Sequence, residues 1–409
     1  MSRNTINANS RVFDKLRLRS LKYKQDSIPR YISTSKTEKA QLAEVCFHAD
    51  PTFMFSDSSA IFFAKLETKI FVIARGLRKS LTSDQITLIE MTAGLFTAVV
   101  SELPIEVASH VTDAELEEKI FFPLEEIDSG PIEPISYSVE EIQPFFEAFD
   151  VYEVSENSPL LQDGLSDRIA LHLLATTGGS IRLPYREATI TRFLDAAISP
   201  ASNLPHRLLL RAYTEHRWDQ AFLSIYRCLE QLFPFSKISR LKIAIEKTAK
   251  NKVAPILLPP NGEETANEAS LDTDAQLKSS PWNSLQLHEL AVLTENILGW
   301  RAKEDDAISD LLLDLQKSLI EEICLYTGID PKHEKAANKA ADALYRMRNR
   351  AVHFRPIHAN EAEPTDEEWE SVTTWLLRAV CALYEQLGTE LRAAPFLLQD
   401  KFRYSIKLS

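Results

Sequence analysis

The feature that most constrains the fold of this chain is a change of pattern near its middle, around residues 199–205. Before that point, short runs rich in Phe, Ile and Val are separated by turn-forming residues, which predicts strands mixed with helices. After it, apolar residues recur every three or four positions, the spacing of one helix face. We therefore predict an α+β fold overall, in which a mixed α+β domain (1–200) precedes a helical bundle (201–394) and a short tail (395–409).

The length and composition of the chain agree with more than one globular domain. Of 409 residues, 44% are hydrophobic and 26% are charged, so two or three domains are expected. No apolar run reaches the roughly 18 residues of a membrane span, and the basic, polar start lacks a secretory pattern, although a transit peptide is an alternative for it. The four cysteines show no paired spacing, so we expect a reduced, cytoplasmic protein with no membrane association.

The first half of the chain contains three runs typical of strands. They are residues 53–55, 60–66 and 69–75, the last of them bounded by Gly76. Residues 83–103 instead place apolar side chains on one face of a helix. Residues 167–190 are predicted to form a β-hairpin, because two apolar runs flank Gly178 and Gly179, which permit a tight turn.

The second half of the chain is predicted to form a series of helices. Their predicted ranges are residues 208–233, 238–250, 285–298, 308–326, 331–353 and 367–387. Pro234 and Pro356 stand just after two of these ranges, where a proline ends a helix, and Gly328 is placed as a C-terminal stop. Residues 255–284 are rich in Pro, Asn, Glu and Ser, which predicts an exposed loop inserted between helices.

An arginine lies on the buried-leaning face of the helix predicted at 331–353. Arg348 shares that face with four apolar residues, Ala337, Ala341, Leu344 and Ala351. A buried guanidinium costs several kcal/mol unless it is paired or sits in a polar cleft. The sequence therefore leaves two readings open: Arg348 pairs with a carboxylate such as Glu230 or Glu322, or it points into a functional site.

A histidine and an amide follow Arg348 closely enough to work with it. His353 lies near the predicted helix end, where the helix dipole favours a protonated imidazole, and Asn349 lies one turn before it and is placed to orient it. An arginine suits a phosphate that gains charge during cleavage, and a histidine suits proton transfer. RNA is the preferred substrate in this hypothesis, because only RNA carries an internal 2′-hydroxyl nucleophile. His353 as a helix-end hydrogen-bond donor is the structural alternative.

The same helix is locally basic in an acidic protein. The net charge is −13, yet residues 339–355 contain five cations and one anion. Three of these cations flank the Arg348–His353 segment and are predicted to contact the RNA backbone: Arg346, Arg350 and Arg355. A solvated helix face with no ligand is the simpler alternative.

The segment Tyr345-Arg346-Met347-Arg348-Asn349-Arg350-Ala351-Val352-His353 resembles the Arg-x4-6-His signature of the HEPN superfamily. Its Asn directly after Arg is similar to the Apea-like branch, and the upstream helix with Ala221, Phe222, Tyr226, Leu229 and Glu230 resembles the opening helix of such domains. The resemblance covers residues 208–387, less than half of the chain. The long stretch between Lys250 and Leu285 departs from the family pattern and leaves the helix count open.

This resemblance implies a bundle of four or five helices that forms a homodimer, with two Arg-His motifs facing each other. It implies a metal-independent endoribonuclease that leaves 2′,3′-cyclic phosphate ends, with Arg348, Asn349 and His353 at the catalytic positions. Such proteins act as toxins or antiviral effectors, so an antitoxin or trigger molecule is an expected partner. Residues 1–200 resemble no family and are assigned a sensor or regulatory role only as a hypothesis.

Other classes of chemistry lack a sequence pattern. The ten glycines include no phosphate-binding loop, and the nine histidines include no His-Glu-x-x-His, so neither a bound cofactor nor a metal is predicted. The rival function is a non-catalytic dimerisation or scaffolding protein, in which Arg348 only stabilises the bundle.

Overall fold

The structure is a computed structural model, and it describes residues 4–20, 28–48, 53–77, 83–121, 134–162, 165–177, 182–201, 203–233, 304–353 and 364–388. The chain divides into two compact units, Met1–Thr177 and Gly178–Ser409. All the strands of the described residues lie in the first unit, and the described part of the second is helical. The predicted α+β fold class is therefore confirmed.

The first unit alternates short helices with strands. Its helices are α1 (Thr5–Arg19), α2 (Lys36–Glu44), α3 (Ala93–Glu102), α4 (Asp113–Lys119), α5 (Val139–Ile142) and α6 (Leu165–Thr176). Its strands are β1 (Arg30–Ile32), β2 (Cys46–Phe47), β3 (Phe53–Ser56), β4 (Ser59–Leu66), β5 (Lys69–Arg75), β6 (Ile86–Leu88), β7 (Ile135–Tyr137) and β8 (Phe149–Val154). The three strands predicted at residues 53–75 are confirmed.

Most of these strands form one antiparallel sheet. Its order is β2-β4-β5-β8-β6, and β3 pairs with β4 beside β2. The hairpin of β4 and β5 is the longest pairing, from Ala60 opposite Arg75 to Leu66 opposite Lys69. The buried faces of the sheet and of α1 and α3 share one apolar core, which includes Val12, Phe62 and Phe96. β1 and β7 form a separate parallel pair.

Arg75 is a structural cation at the edge of this core. Its Nη1 donates to the carbonyl oxygen of Pro104 at 2.6 Å and to Glu147 Oε2 at 3.2 Å. Its Nη2 donates to the carbonyl oxygen of Asp57 at 2.9 Å. Only 4% of the side chain is exposed, so this guanidinium is fixed by acceptors from three separate chain segments.

One prediction in the first unit is wrong and one is confirmed only in part. Residues 165–176 form α6, so the hairpin predicted at 167–190 does not exist, although Gly178 and Gly179 themselves lie outside the described residues. Every residue from Arg168 to Ala175 is buried, and a helix buried on all sides has no polar face to reveal its period. The helix predicted at 83–103 is confirmed for α3, whereas residues 86–88 form β6.

The second unit consists of helices in its described part. They are α7 (Glu187–Ile198), α8 (His206–Thr214), α9 (Trp218–Glu230), α10 (Glu304–Leu313), α11 (Lys317–Tyr326), α12 (Ala336–His353) and α13 (Asp366–Gln386). α13 packs against α7, α9 and α11, and α12 packs against α9, α10 and α11. The side chain of Trp375 on α13 is fully buried, and its indole N–H donates to the carbonyl oxygen of Leu319 at 2.7 Å.

The boundary between the units lies at Thr177, earlier than the predicted residue 200. Glu370 of α13 explains why α7 belongs to the helical unit. Its buried Oε1 accepts from the backbone N–H of Arg186 at 2.6 Å and from Thr189 Oγ1 at 2.9 Å. Arg186 is the N-cap of α7 and its side chain provides no cap, so a carboxylate from the last helix caps this one.

Several predicted helices of the second unit are shorter than expected. The range 208–233 is broken between Thr214 and Trp218, and 308–326 is broken between Leu313 and Lys317. Helix α12 begins at Ala336 and not at 331, because residues 331–335 form turns and a bend. The stop at Gly328 is confirmed, with a φ of +68° that favours glycine. The last helix is confirmed at α13.

The remaining predictions of this half fall on residues that the structure does not describe. They are the helices at 238–250 and 285–298, the loop at 255–284 and the tail at 395–409. Within the described residues, no helix is both long enough and apolar enough to cross a bilayer.

Candidate functional site

Helix α12 carries the Arg-Asn-x3-His segment and is fixed by small side chains. Ala340, Ala341 and Leu344 are fully buried, and Ala351 is nearly so, which confirms the predicted buried face. Alanine has the highest helix propensity and permits close helix packing, so this sequence favours a straight helix against α9, α10 and α11. α12 spans 18 residues, and the segment of interest occupies its last two turns.

Arg348 lies on the edge of this buried face and contacts a carboxylate of another helix. Its Nη2 donates to Glu230 Oε1 at 3.4 Å, and Glu230 is the last residue of α9. Its Nη1 donates to the side-chain oxygen of Asn349 at 3.1 Å. The structure thus contains the Glu230 pairing that the sequence left open. The other acid, Glu322, contacts Arg378 at 2.6 and 2.8 Å and accepts from the Tyr326 hydroxyl.

The Arg348–Glu230 pair is not sealed from solvent. The side chains are 22% and 23% exposed, respectively. A contact of 3.4 Å is long for a charge-assisted hydrogen bond, which is typically about 2.7–2.9 Å. An open, stretched ion pair exchanges partners at low cost, because water and an incoming anion both reach the guanidinium. Arg348 therefore pairs with a carboxylate while part of its side chain stays open to solvent.

Asn349 has a different contact from the one predicted. Its amide oxygen accepts from Arg348, so within this structure it orients the guanidinium. The side chain of His353 lies outside the described residues, although its backbone ends α12. The prediction that Asn349 orients His353 therefore stays a prediction.

The predicted basic patch is partly neutralised by neighbouring acids. Arg346 is 68% exposed in its side chain and pairs with Asp342 at 3.2 Å, one turn before it. Arg350 is half-buried, and Arg355 lies outside the described residues. Among the described residues, Arg346 and Arg348 thus have acidic partners, so the local field is weaker than the sequence count indicates.

No family model matches the chain, and neither a curated protein nor a solved structure matches it. The function is therefore inferred from the residues of α9 and α12.

An arginine, an amide and a histidine lie within the last six residues of α12. A guanidinium at a partly open surface binds the non-bridging oxygens of a phosphodiester. The amide of Asn349 holds that guanidinium, and His353 follows one turn later on the same helix. Among the described residues, no three His, Cys, Asp or Glu side chains are grouped closely enough to hold a metal ion.

Glu230 is the site residue whose role the sequence did not settle. Two acids were plausible partners of Arg348, and nothing in the local pattern of α9 distinguishes Glu230 from Glu322 of α11. The choice depends on how α9, α11 and α13 pack, because Arg378 of α13 takes up Glu322.

Proposed function

We propose that the helical unit is a metal-independent endoribonuclease of the HEPN type, and that Arg348, Asn349 and His353 form its active site. The observation that carries the proposal is the open Arg348–Glu230 pair at the end of α12. A guanidinium that binds substrate must reach solvent, and 22% of the Arg348 side chain is exposed. The resemblance of residues 345–353 to the Arg-x4-6-His signature gives the reaction class.

In the proposed reaction, the 2′-hydroxyl of the substrate attacks the adjacent phosphorus. Its proton passes to a base, the 5′-oxygen of the next nucleotide leaves with a proton, and the products are a 2′,3′-cyclic phosphate and a 5′-hydroxyl. Arg348 binds the non-bridging oxygens and stabilises their developing charge, and Asn349 holds the guanidinium in place. His353 transfers a proton at the 2′-hydroxyl or at the leaving oxygen.

A homodimer in which two such motifs face each other is part of this proposal. Arg346, Arg350 and Arg355 then contact the RNA backbone beside the reacting phosphate. A toxin or antiviral role, restrained by an antitoxin or released by a trigger molecule, follows only from the family resemblance.

The second candidate is a non-catalytic dimerisation or scaffolding protein. It is favoured by the ion pair itself, because Arg348 and Glu230 join two packed helices, α12 and α9. In that case the pair stabilises the bundle by at most about 1 kcal/mol, the range for partly exposed pairs.

The deciding experiment is cleavage of total cellular RNA by the purified full chain in EDTA, with mapping of the new ends. Arg348→Ala and His353→Ala are compared with Arg192→Ala, an exposed arginine of α7 that pairs with Asp195. We expect discrete cleavage with cyclic phosphate ends by wild type and by Arg192→Ala, and a loss of at least about 100-fold in both motif variants.

Each other outcome favours a different conclusion. Cleavage that persists in both folded motif variants contradicts the assigned site. A wild-type chain that dimerises in sedimentation but cleaves no RNA favours the scaffold.

A further inference from the structure

The first unit contains a long cleft between α1 and the segment around β1. We call it the α1/β1 cleft; it is bounded by residues 4–17, by residues 28–35, by Lys39 at the start of α2 and by Pro134 before β7. Its volume is about 1280 Å³. Sites for drug-sized molecules typically measure about 300–1,000 Å³, so this cleft has room for a larger ligand.

The length of the cleft follows from the helix that forms its wall. Lining residues extend along α1 from Asn4 to Arg17. At 1.5 Å per residue, this part of the helix is about 20 Å long. The ligand that fills such a cleft is elongated, longer than a single nucleotide or sugar.

The charges that line the cleft favour an anion. Arg17, Arg30 and Lys39 face a single acid, Asp14, whereas the whole chain has a net charge of −13. Arg30 is buried and donates to the carbonyl oxygens of Ile120 and Ile28, so its role is structural. Lys39 is exposed.

Arg17 keeps part of its hydrogen-bonding capacity. Its Nη1 donates to Asp14 Oδ1 at 2.9 Å. Its Nε is buried and has no hydrogen-bond acceptor within the part of the chain that the structure describes. A buried N–H without an acceptor is costly, so a ligand oxygen that reorients this side chain would relieve that cost.

The remaining lining suits a flat apolar group. Tyr31 is 41% exposed, and Ile6 is 74% exposed, both on the cleft. A tyrosine ring in this position is able to stack on a nucleobase, a contact that tolerates any base. Asn4, Ser10 and Ser33 contribute hydroxyl and amide groups to the lining.

The backbone of β1 argues against an acidic peptide as the ligand. A peptide would bind most readily by adding a strand to the edge of β1 that faces away from β7. The backbone N–H of Ile32 on that edge already donates to Asn9 Oδ1 of α1 at 2.8 Å. Strand addition is therefore blocked, whereas ligands recognised through side chains are not.

We propose that the α1/β1 cleft binds a short single-stranded oligonucleotide of two to four nucleotides. Lys39 and Arg17 bind its phosphates, and Tyr31 stacks on a base. The residues that line the cleft all belong to the first unit, and the proposal stands whether or not the helical unit cleaves RNA.

The test is fluorescence anisotropy of a labelled 2′-O-methyl tetranucleotide with the full chain. The methylated 2′-oxygen prevents the proposed cleavage, so binding alone is measured. We expect Tyr31→Ala to weaken binding about 10-fold, with Tyr31→Phe close to wild type. Lys39→Ala is expected to weaken it several-fold and to lessen its salt dependence. Lys65→Ala, an exposed lysine of β4 outside the cleft, is the matched control.

Competition identifies the chemistry of the ligand. Inorganic phosphate and an acidic tetrapeptide should compete at least 10-fold more weakly than an unlabelled tetranucleotide. Equal competition by the peptide overturns the proposal, as does an unchanged affinity in both Tyr31→Ala and Lys39→Ala. Loss of binding in Arg348→Ala shows that the oligonucleotide binds the helical unit and not the cleft. Absence of binding by wild type at millimolar concentration also overturns the proposal.

Discussion

Arg75 lies in an apolar strand of the first unit and Arg348 on an apolar helix face of the second, yet the two arginines differ in what surrounds them. Arg75 has a side chain that is 4% exposed and acceptors from three chain segments. Arg348 is 22% exposed and meets Glu230 at 3.4 Å. The difference teaches that an arginine in an apolar pattern does not by itself indicate a site. Whether such an arginine belongs to a functional site depends on how exposed its side chain is and on how easily its partners are replaced.

The largest effect that tests this comparison is on stability. Arg75→Ala removes the three hydrogen bonds that this buried guanidinium donates to Pro104, Asp57 and Glu147, so we expect a loss of about 3–5 kcal/mol in the unfolding free energy of the first unit. Arg348→Ala should cost no more than about 1 kcal/mol. Urea unfolding followed by far-UV circular dichroism measures both.

The chain provides its own probe for assigning that loss. All five tryptophans lie after residue 217, so tryptophan fluorescence reports on the helical unit alone. We expect Arg75→Ala to lower the urea concentration at the midpoint of the dichroism transition. The midpoint of the fluorescence transition should stay unchanged. If both variants destabilise by the same amount, the distinction between the two arginines is wrong.

The second expected effect is a dependence of stability on pH, caused by a buried histidine that stays neutral in the folded chain. His172 of α6 is buried, its Nε2 lies 3.0 Å from Ser83 Oγ, and burial lowers its pKa from 6.5 to about 4. As pH falls below about 6.5, His172 binds a proton in the unfolded chain but stays neutral in the folded chain until the pH approaches 4. The stability contribution is therefore complete above pH 6.5, and about 3 kcal/mol of it is lost as pH falls to about 4.

The measurement for His172 is urea unfolding by circular dichroism at pH 7, 5.5 and 4. His172→Gln keeps a hydrogen-bonding group near Ser83 but does not titrate, so its stability should fall less with acid than that of wild type. His110→Gln, an exposed histidine before α4, is the control and should behave as wild type. An identical acid response in all three chains contradicts the assignment.

The smallest expected effect on stability is that of Glu230, the carboxylate partner of Arg348. Glu230→Gln removes the charge that Arg348 meets, so stability should change by less than about 1 kcal/mol. If the proposed ribonuclease function holds, the freed guanidinium binds RNA more tightly, and KM for a short RNA falls several-fold. Glu322→Gln, which alters the similar pair with Arg378, should leave KM unchanged. A KM that rises in Glu230→Gln shows that Glu230 supports Arg348 and does not compete with substrate.

Much of the local structure could be predicted because amphipathic elements reveal their period. The strands at 53–75, the buried alanine face of α12, the stop at Gly328 and the last helix all followed from spacing and turn chemistry. α1 was missed, although Val12, Phe13 and Leu16 stand at helical spacing and are buried. Its many cations made this segment resemble an exposed terminus.

The failures occur where tertiary packing replaces the local signal. α6 is buried on every side, so it shows no polar face from which a helix could be recognised. The helix predicted at 83–103 extended too far, because Ile86 of β6 also fits the apolar spacing of a helix. The break between α8 and α9 contains no glycine or proline, and it places Trp218 against Tyr185, with ring centroids 5.0 Å apart. The candidate site was predicted as Arg348 and its neighbours, but its acidic partner depended on distant helices. The α1/β1 cleft had no signal at all, because separate segments line it.

The cap on α7 imposes an order of events on synthesis. The carboxylate that holds the first turn of this helix belongs to Glu370, which enters the chain 184 residues after Arg186. At a synthesis rate of roughly 5–20 residues per second, Glu370 is added on the order of 10–40 s after Arg186. The first unit has no such dependence among the hydrogen bonds described for it, so it is free to fold while the rest is still being made. The newborn helical unit thus stays incomplete until α13 has been synthesised.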